Sequence, residues 1–182
     1  MHEVRVMDAA TMMATVEGRT VDGASGTDSE AAHDFARVFR EDGPGLWRTI
    51  YAFTGGRRDV TEDVVGEAFA RAIAYAGTIR DPVAWLYRTS FRLAQTELKK
   101  ERRRSTPEQV VPTDPPELAG LMDALRRLSP NQRAAIVLRF EADLPVHEVA
   151  SRMGIASPTV RVHIHRGRAQ LRELLGAEEV DD

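Results

Sequence analysis

The stretch "SPTVRVHIHRGRAQLRELL", from Ser157, places Thr159, Arg161, His163, Arg166 and Arg168 within ten residues. Guanidinium groups bond guanine edges and phosphate oxygens, so this chemistry is polyanion recognition, not bond cleavage. A second stretch, from Trp85, carries Trp85, Tyr87 and Phe91 and then the basic run Lys99, Lys100 and Arg102 to Arg104. Aromatic faces capture bases taken out of the stack, while Lys and Arg follow the backbone. Core packing competes for these aromatics, most strongly for Trp85. A basic helix end is also favoured by the macrodipole alone. Asp63 and Glu67, four apart, share one face of a helix and offer carboxylates to a basic partner.

Other chemistries lack their residues. There is no Gly-rich phosphate loop, no GxSxG elbow and no HExxH, so catalysis by the chain itself is not expected. Cysteine is absent, which excludes disulfides and thiolate zinc sites. His163 and His165 lie two apart and point to different faces of a helix, so no metal or other cofactor is expected.

The elements that must position these groups read as helices throughout. Phe35, Val38 and Phe39 fall at helical spacing, and "EDGPG" is expected to break that run. A second helix is expected through "GLWRTIYAF", stopped by Gly55 and Gly56. "DVTE" from Asp59 has the form of a capping box, and Gly77 that of a C-cap. Asp81 and Pro82 supply an N-cap and an N1 proline for a helix reaching the basic run. Further on, Leu118, Leu121, Leu125 and Leu128 line one face, and "SPNQ" from Ser129 opens a helix whose apolar side includes Ile136, Val137 and Phe140. A short helix ends at Gly154, and Ser157-Pro158 opens the last. In that last helix Val160, Ile164, Gly167, Leu171 and Leu174 form the buried stripe. Ala150, Gly154 and Val160 meet the needs of a helix-turn-helix: a small contact residue, a left-handed turn and an apolar anchor. The fold class is all-α.

The chain has 182 residues and a formal net charge of −3, but the acids gather at the ends. Glu3, Asp8, Glu17, Asp22, Asp28, Glu30 and Asp34 face only Arg5 and Arg19 at the start, and "EEVDD" lies near the close. The interior is free to bind polyanions. The reading divides the chain into a disordered leader (1–28), a helical domain (29–104), a Pro-rich linker (105–116), a helix-turn-helix domain (117–176) and an acidic tail (177–182). Extended, the linker reaches roughly 40 Å. That exceeds one turn of duplex, about 34 Å, so the two domains can occupy separate sites. No membrane span or signal peptide is read, and the cytoplasm is the default compartment.

Residues 30 to about 175 together resemble a bacterial sigma factor of the extracytoplasmic-function group, the minimal sigma-70 type. "TEDVVGEAFARA" from Thr61 resembles the helix that docks on the β′ clamp of RNA polymerase, which implies polymerase contacts for Asp63, Glu67 and Arg71. "DPVAWLYRTSFRLAQTELKKERRR" resembles the helix that recognises and opens the −10 element. The resemblance assigns that role to Arg88, Phe91, Arg92, Gln95, Thr96, Lys99, Lys100, Arg102 and Arg103. "ALRRLSPNQRAAIVLRF" with "VHEVASRMGIASPTVRVHIHRGRAQLREL" resembles the domain that reads the −35 element, through Ser157, Thr159, Arg161, His163, Arg166 and Arg168. Core RNA polymerase (β′ clamp and β flap), promoter DNA and an anti-sigma factor are the partners it implies. The chain departs from the family pattern at Gly66, usually glutamine, at Ser90-Phe91-Arg92, usually Ala-Arg-Asn, and at Thr96, usually aspartate.

Two other readings remain at this point. A stand-alone helix-turn-helix regulator would usually dimerise and leave the first helices unexplained. A sigma mimic would sequester an anti-sigma factor without joining polymerase at promoters.

Overall fold

The computed structural model describes residues 26–75, 78–103 and 116–176, and all its regular elements are helical. The bulk of the expected leader, the linker and the tail lie outside the described residues, as do Gly77, Arg104 and the side chains of Phe35 and Arg102.

Helix α1 spans Gly26–Thr54, so the expected break at "EDGPG" does not occur and Pro44 sits inside one helix. Proline interrupts a helix by removing a donor and crowding the preceding turn. Here tertiary packing overrides it. Val38 before the proline and Leu46, Ile50 and Phe53 after it all enter the same core. Gly43 is buried beside the Phe39 and Phe69 rings, which meet edge to face at 4.8 Å. The helix stops where expected, at Gly55 and Gly56, with φ of 76° and 85°.

Helix α2 covers Arg58–Ala74, capped at Arg57 with no side-chain cap bond, so "DVTE" does not form the expected box. Glu62 pairs with Arg58 instead, at 3.3 Å. Asp59 lies in the first turn, 3.0 Å from Arg57. Burial pushes its carboxyl upward, but the Val60 amide and the Arg57 guanidinium outweigh this and hold it below the ordinary range. The start of the helix is fixed by threonines: Thr61 donates to the Arg57 carbonyl at 2.6 Å and meets Thr54 at 3.0 Å. Arg57 also pairs with Glu101, tying this corner to α3.

Helix α3, Pro82–Arg103, opens as expected, with the Ala84 amide donating to Asp81 Oδ1 at 3.0 Å. Its inner face carries Ala84, Leu86, Tyr87, Phe91 and Ala94 into the core.

The second group comprises α4 (Pro116–Arg127), α5 (Pro130–Ile136, extended by a π-helical turn Val137–Glu141), α6 (Val146–Met153) and α7 (Ser157–Leu175). Ser129 and Gln132 form the expected capping box at the start of α5. Two expected faces are only partly buried. Leu125 and Leu128 are buried, but Leu118 and Leu121 on α4 are exposed, as is Phe140, whereas Met122 enters the core. Gly154 takes the left-handed conformation at the end of α6, with φ 68°. Helix α7 is capped at Ala156 without a side-chain bond, so Ser157 is its first helical residue rather than its cap. On its buried stripe a Cβ at Gly167 would stand 2.9 Å from Ile136 Cγ1, the close approach expected of that glycine.

The two groups of helices pack on one another around a shared core. The carbonyls ending α1 lack intrahelical donors, and arginines of the second group supply them. Arg133 Nη1 donates to the Phe53 carbonyl at 2.9 Å, and Arg126 Nη1 to the Gly55 carbonyl at 2.9 Å. Arg133 is 8% exposed as a residue, and its guanidinium also stands 5.3 Å from the Phe53 ring centre.

Candidate nucleic-acid interface

Two basic surfaces stand on helices whose opposite sides are packed. The first is the outer side of α3. Arg88, Arg92, Thr96, Lys99, Lys100 and Arg103 are exposed there, with Gln95 half-buried between them. Positions 88, 92, 95, 96, 99 and 103 follow helical spacing, so they form one stripe roughly 22 Å long. Thr96 turns its hydroxyl inward, to the Arg92 carbonyl at 2.9 Å. Lys100 is partly neutralised by Glu97 at 2.7 Å.

Phe91 does not belong to this surface. It is 5% exposed and packs edge to face on Phe53 at 4.9 Å, with Tyr87 at 6.3 Å. The expectation that its ring stacks on a base is corrected, because the ring lies on the inward side of the same helix. Trp85 is half-buried against the core, and Tyr87 is buried beneath the Arg152 guanidinium at 4.6 Å. Burial pushes the Tyr87 phenol up, so it stays a neutral hydroxyl at ordinary pH.

The second surface is the outer side of α7. Thr159, Arg161, Arg166 and Arg168 are exposed, and Ser157 and His163 are half-buried. Helical geometry sorts them into two rows. Arg161 and Arg168 lie two turns apart along one edge, and exposed His165 and Arg172 continue that row. Thr159, His163 and Arg166 lie along the other edge, about 140° or more round from Arg161. Val162 stands between the rows and is 45% exposed. Arg172 escaped the sequence reading although its spacing, four after Arg168 and eleven after Arg161, was legible. Arg168 also leans over exposed Phe140, 5.9 Å from the ring centre.

The acidic surface lies on α2. Asp63, Glu67 and Arg71 are all exposed and follow one another at four-residue spacing, with Arg71 bonded to Glu67 at 2.6 Å. The Arg71 guanidinium offsets part of the acidity of this face.

Known proteins match this arrangement along most of the chain. Residues 118–171, α4 through most of α7, match the family "Sigma-70, region 4". The ECF RNA polymerase sigma factor BldN of Streptomyces coelicolor is 31% identical over 92% of this chain and 67% of its own length. The ECF RNA polymerase sigma factor SigE of Mycolicibacterium smegmatis is 30% identical over 87% of this chain and 67% of its own. The chain belongs to the extracytoplasmic-function sigma factors.

The fold of this sigma factor is also found in solved structures. The sigma factor RpoE from Bartonella quintana, solved in complex with the anti-sigma factor NepR, superposes with a TM-score of 0.64 at 23% identity, over 80% of this chain and 99% of that one. CnrH, solved in complex with the cytosolic domain of CnrY, gives a TM-score of 0.63 at 25% identity, over 84% of this chain and 96% of that one. Sigma factors direct transcription initiation to promoters, and that is the function of this chain. A stand-alone helix-turn-helix regulator is not favoured, because the likeness extends through both groups of helices. Among the described residues no helix is long and apolar enough to cross a membrane.

Proposed function

We propose that this sigma factor divides its work between the two groups of helices. α1–α3 form a domain that docks on core RNA polymerase through Asp63 and Glu67 and holds the opened −10 strand along α3. α4–α7 form a domain that reads the −35 duplex. The carrying observation is the pair of basic rows on α7. The major groove is about 12 Å wide and admits one helix. A helix lying in it meets one sugar-phosphate backbone on each side, which suits Arg161, Arg168 and Arg172 on one edge and Arg166 on the other. Val162 between them is placed to touch a thymine methyl.

The −10 strand meets a face that is basic but carries no exposed aromatic in its middle. Arg88, Arg92, Lys99 and Arg103 hold phosphates there, and Trp85, half-buried near the helix start, is the aromatic within reach of a base. Phe91 supports this face from beneath by fixing α3 against α1. The chain itself performs no catalysis in this reading; the polymerase supplies the chemistry. The protein works in the cytoplasm, where an anti-sigma factor is its expected controlling partner.

Docking through α2 has a direct test. Asp63 and Glu67 are exposed, so reversing both charges leaves the core untouched. D63K/E67K is expected to melt like the parent and to lose co-elution with core polymerase, with affinity reduced at least tenfold. Co-elution equal to the parent's would remove α2 from the polymerase interface.

A further inference from the structure

Phe140 is an apolar side chain that the core does not take. The spacing puts it on the apolar side of α5, yet it stands 53% exposed. The π-helical turn Val137–Glu141 changes the register of the last residues of α5. Val137 and Leu138 stay buried, while Phe140 comes out beside α7. The turn is pinned on its buried side: the Ala142 amide donates to the Val137 carbonyl at 3.1 Å, and the Leu144 amide to the Leu138 carbonyl at 3.1 Å.

A lone exposed ring is commonplace. This one carries two cations. The Arg168 guanidinium stands over it 5.9 Å from the ring centre, and the Arg139 guanidinium 5.6 Å from it. Arg139 is also held by Asp143, 3.4 Å away. Arg168 has no hydrogen bond or ion pair among the described residues, so the ring is what orients it. The close approach of α5 to α7 brings the two together. A Cβ at Gly167 would stand 2.9 Å from Ile136 Cγ1. Phe140 follows Ile136 by four residues and Arg168 follows Gly167 by one, so ring and guanidinium meet just beyond that contact.

We infer that Phe140 is a positioning residue for duplex recognition, whose ring holds the Arg168 guanidinium ready at the edge of α7 that meets a phosphate. The inference rests on the assignment of the outer face of α7 to the −35 duplex. An unrestrained arginine loses rotamer freedom when a phosphate captures it, which weakens binding by roughly twofold to tenfold for each side chain ordered. A cation on an exposed ring is held with a free energy of similar order. Phe140 therefore completes part of that ordering before DNA arrives.

Charge and order leave different marks on binding. The salt slope counts phosphate contacts, whereas prior ordering changes affinity alike at every salt concentration. Loss of the ring is expected to lower affinity and keep the slope. Loss of Arg168 is expected to flatten it.

The test titrates the full chain onto a mixed-sequence duplex of about 20 base pairs across a salt series, with melting curves confirming the fold. F140L keeps an apolar side chain without a π face, and F140W keeps the face. F140L is expected to bind about threefold more weakly at each salt concentration with the parent's slope, and F140W to bind as the parent does. In R166A, on the other edge of α7, F140L should cost the same factor again. In R168A it should cost nothing, because the group it positions is gone.

An F140L loss in R168A equal to that in the parent overturns the inference, since the ring would then act on the fold or touch DNA itself. No loss in F140L, or an equal loss in F140W, overturns it too. A flattened slope in R168A with no cost in F140L removes Phe140 and leaves the assignment of α7 standing. If R168A keeps the parent's slope, or the parent binds no duplex, that assignment fails and the role of Phe140 falls with it.

Discussion

Alanine at Arg161, Arg166 and Arg168 together is expected to abolish most of the duplex affinity of the C-terminal group of helices. Each phosphate contact contributes close to one unit to the slope of log affinity against log salt, so removing three flattens it by about 2.7. At 0.1 M salt that corresponds to a loss on the order of several hundredfold. All three side chains are exposed, so the melting temperature should stay within a few degrees of the parent's. Fluorescence anisotropy on duplex across a salt series measures the effect. Dividing the triple by edge adds resolution: R161A/R168A removes contacts to one strand and R166A to the other. Arg172 continues the first row and should add a further unit of slope when replaced. A slope unchanged in the triple variant would show that this face does not meet DNA.

The largest stability effect is expected at Arg133. Its guanidinium bonds three main-chain carbonyls, those of Phe53 at 2.9 Å, Arg126 at 2.6 Å and Leu128 at 3.3 Å. Methionine fills similar space but donates nothing, leaving three carbonyls without these bonds. Each carbonyl left without its bond costs about 1–3 kcal/mol, so the three together are expected to cost about 3 kcal/mol or more. Against a total stability of roughly 5–15 kcal/mol this is a large share. Urea unfolding of R133M measures it. Arg133→Lys keeps the charge but not the planar fork that reaches several carbonyls, so it should recover only part of the loss. A midpoint in R133M within the range of surface variants would show that Arg133 does not staple α1 to α5.

Local punctuation was the legible part of the sequence. Ser129 with Gln132, Asp81 before Pro82, and Gly154 each state a helix boundary within three or four residues, and the structure follows them. Gly167 was legible for a related reason: a glycine on an apolar stripe signals an approaching neighbour. Errors arose where distant residues decide. Pro44 reads as a break until Val38 and Ile50 are seen to share one core. Asp59 reads as a cap, yet the cap is Arg57, two residues earlier, where Thr61 bonds the Arg57 carbonyl and meets Thr54.

The candidate site divides in the same way. Charge at helical spacing displayed the basic faces of α3 and α7, including the row that Arg172 extends. Whether an aromatic on such a helix points out or in depends on its partner. Phe91 faces Phe53, far away in sequence, and so it belongs to the core. The contacts that Arg126, Arg133 and Arg152 make across the molecule were not legible at all. An arginine bonded to carbonyls across the molecule has the same local sequence signature as one in solvent.

The most direct measurement is transcription from a reconstituted mixture of this chain and core RNA polymerase on a library of promoter-length duplexes. The account predicts that core enzyme alone initiates nowhere specific, and that adding the chain yields defined start sites whose upstream sequences share two separated elements. Binding of the chain to a sequence by itself, with no association with core enzyme and no start sites above background, would contradict it.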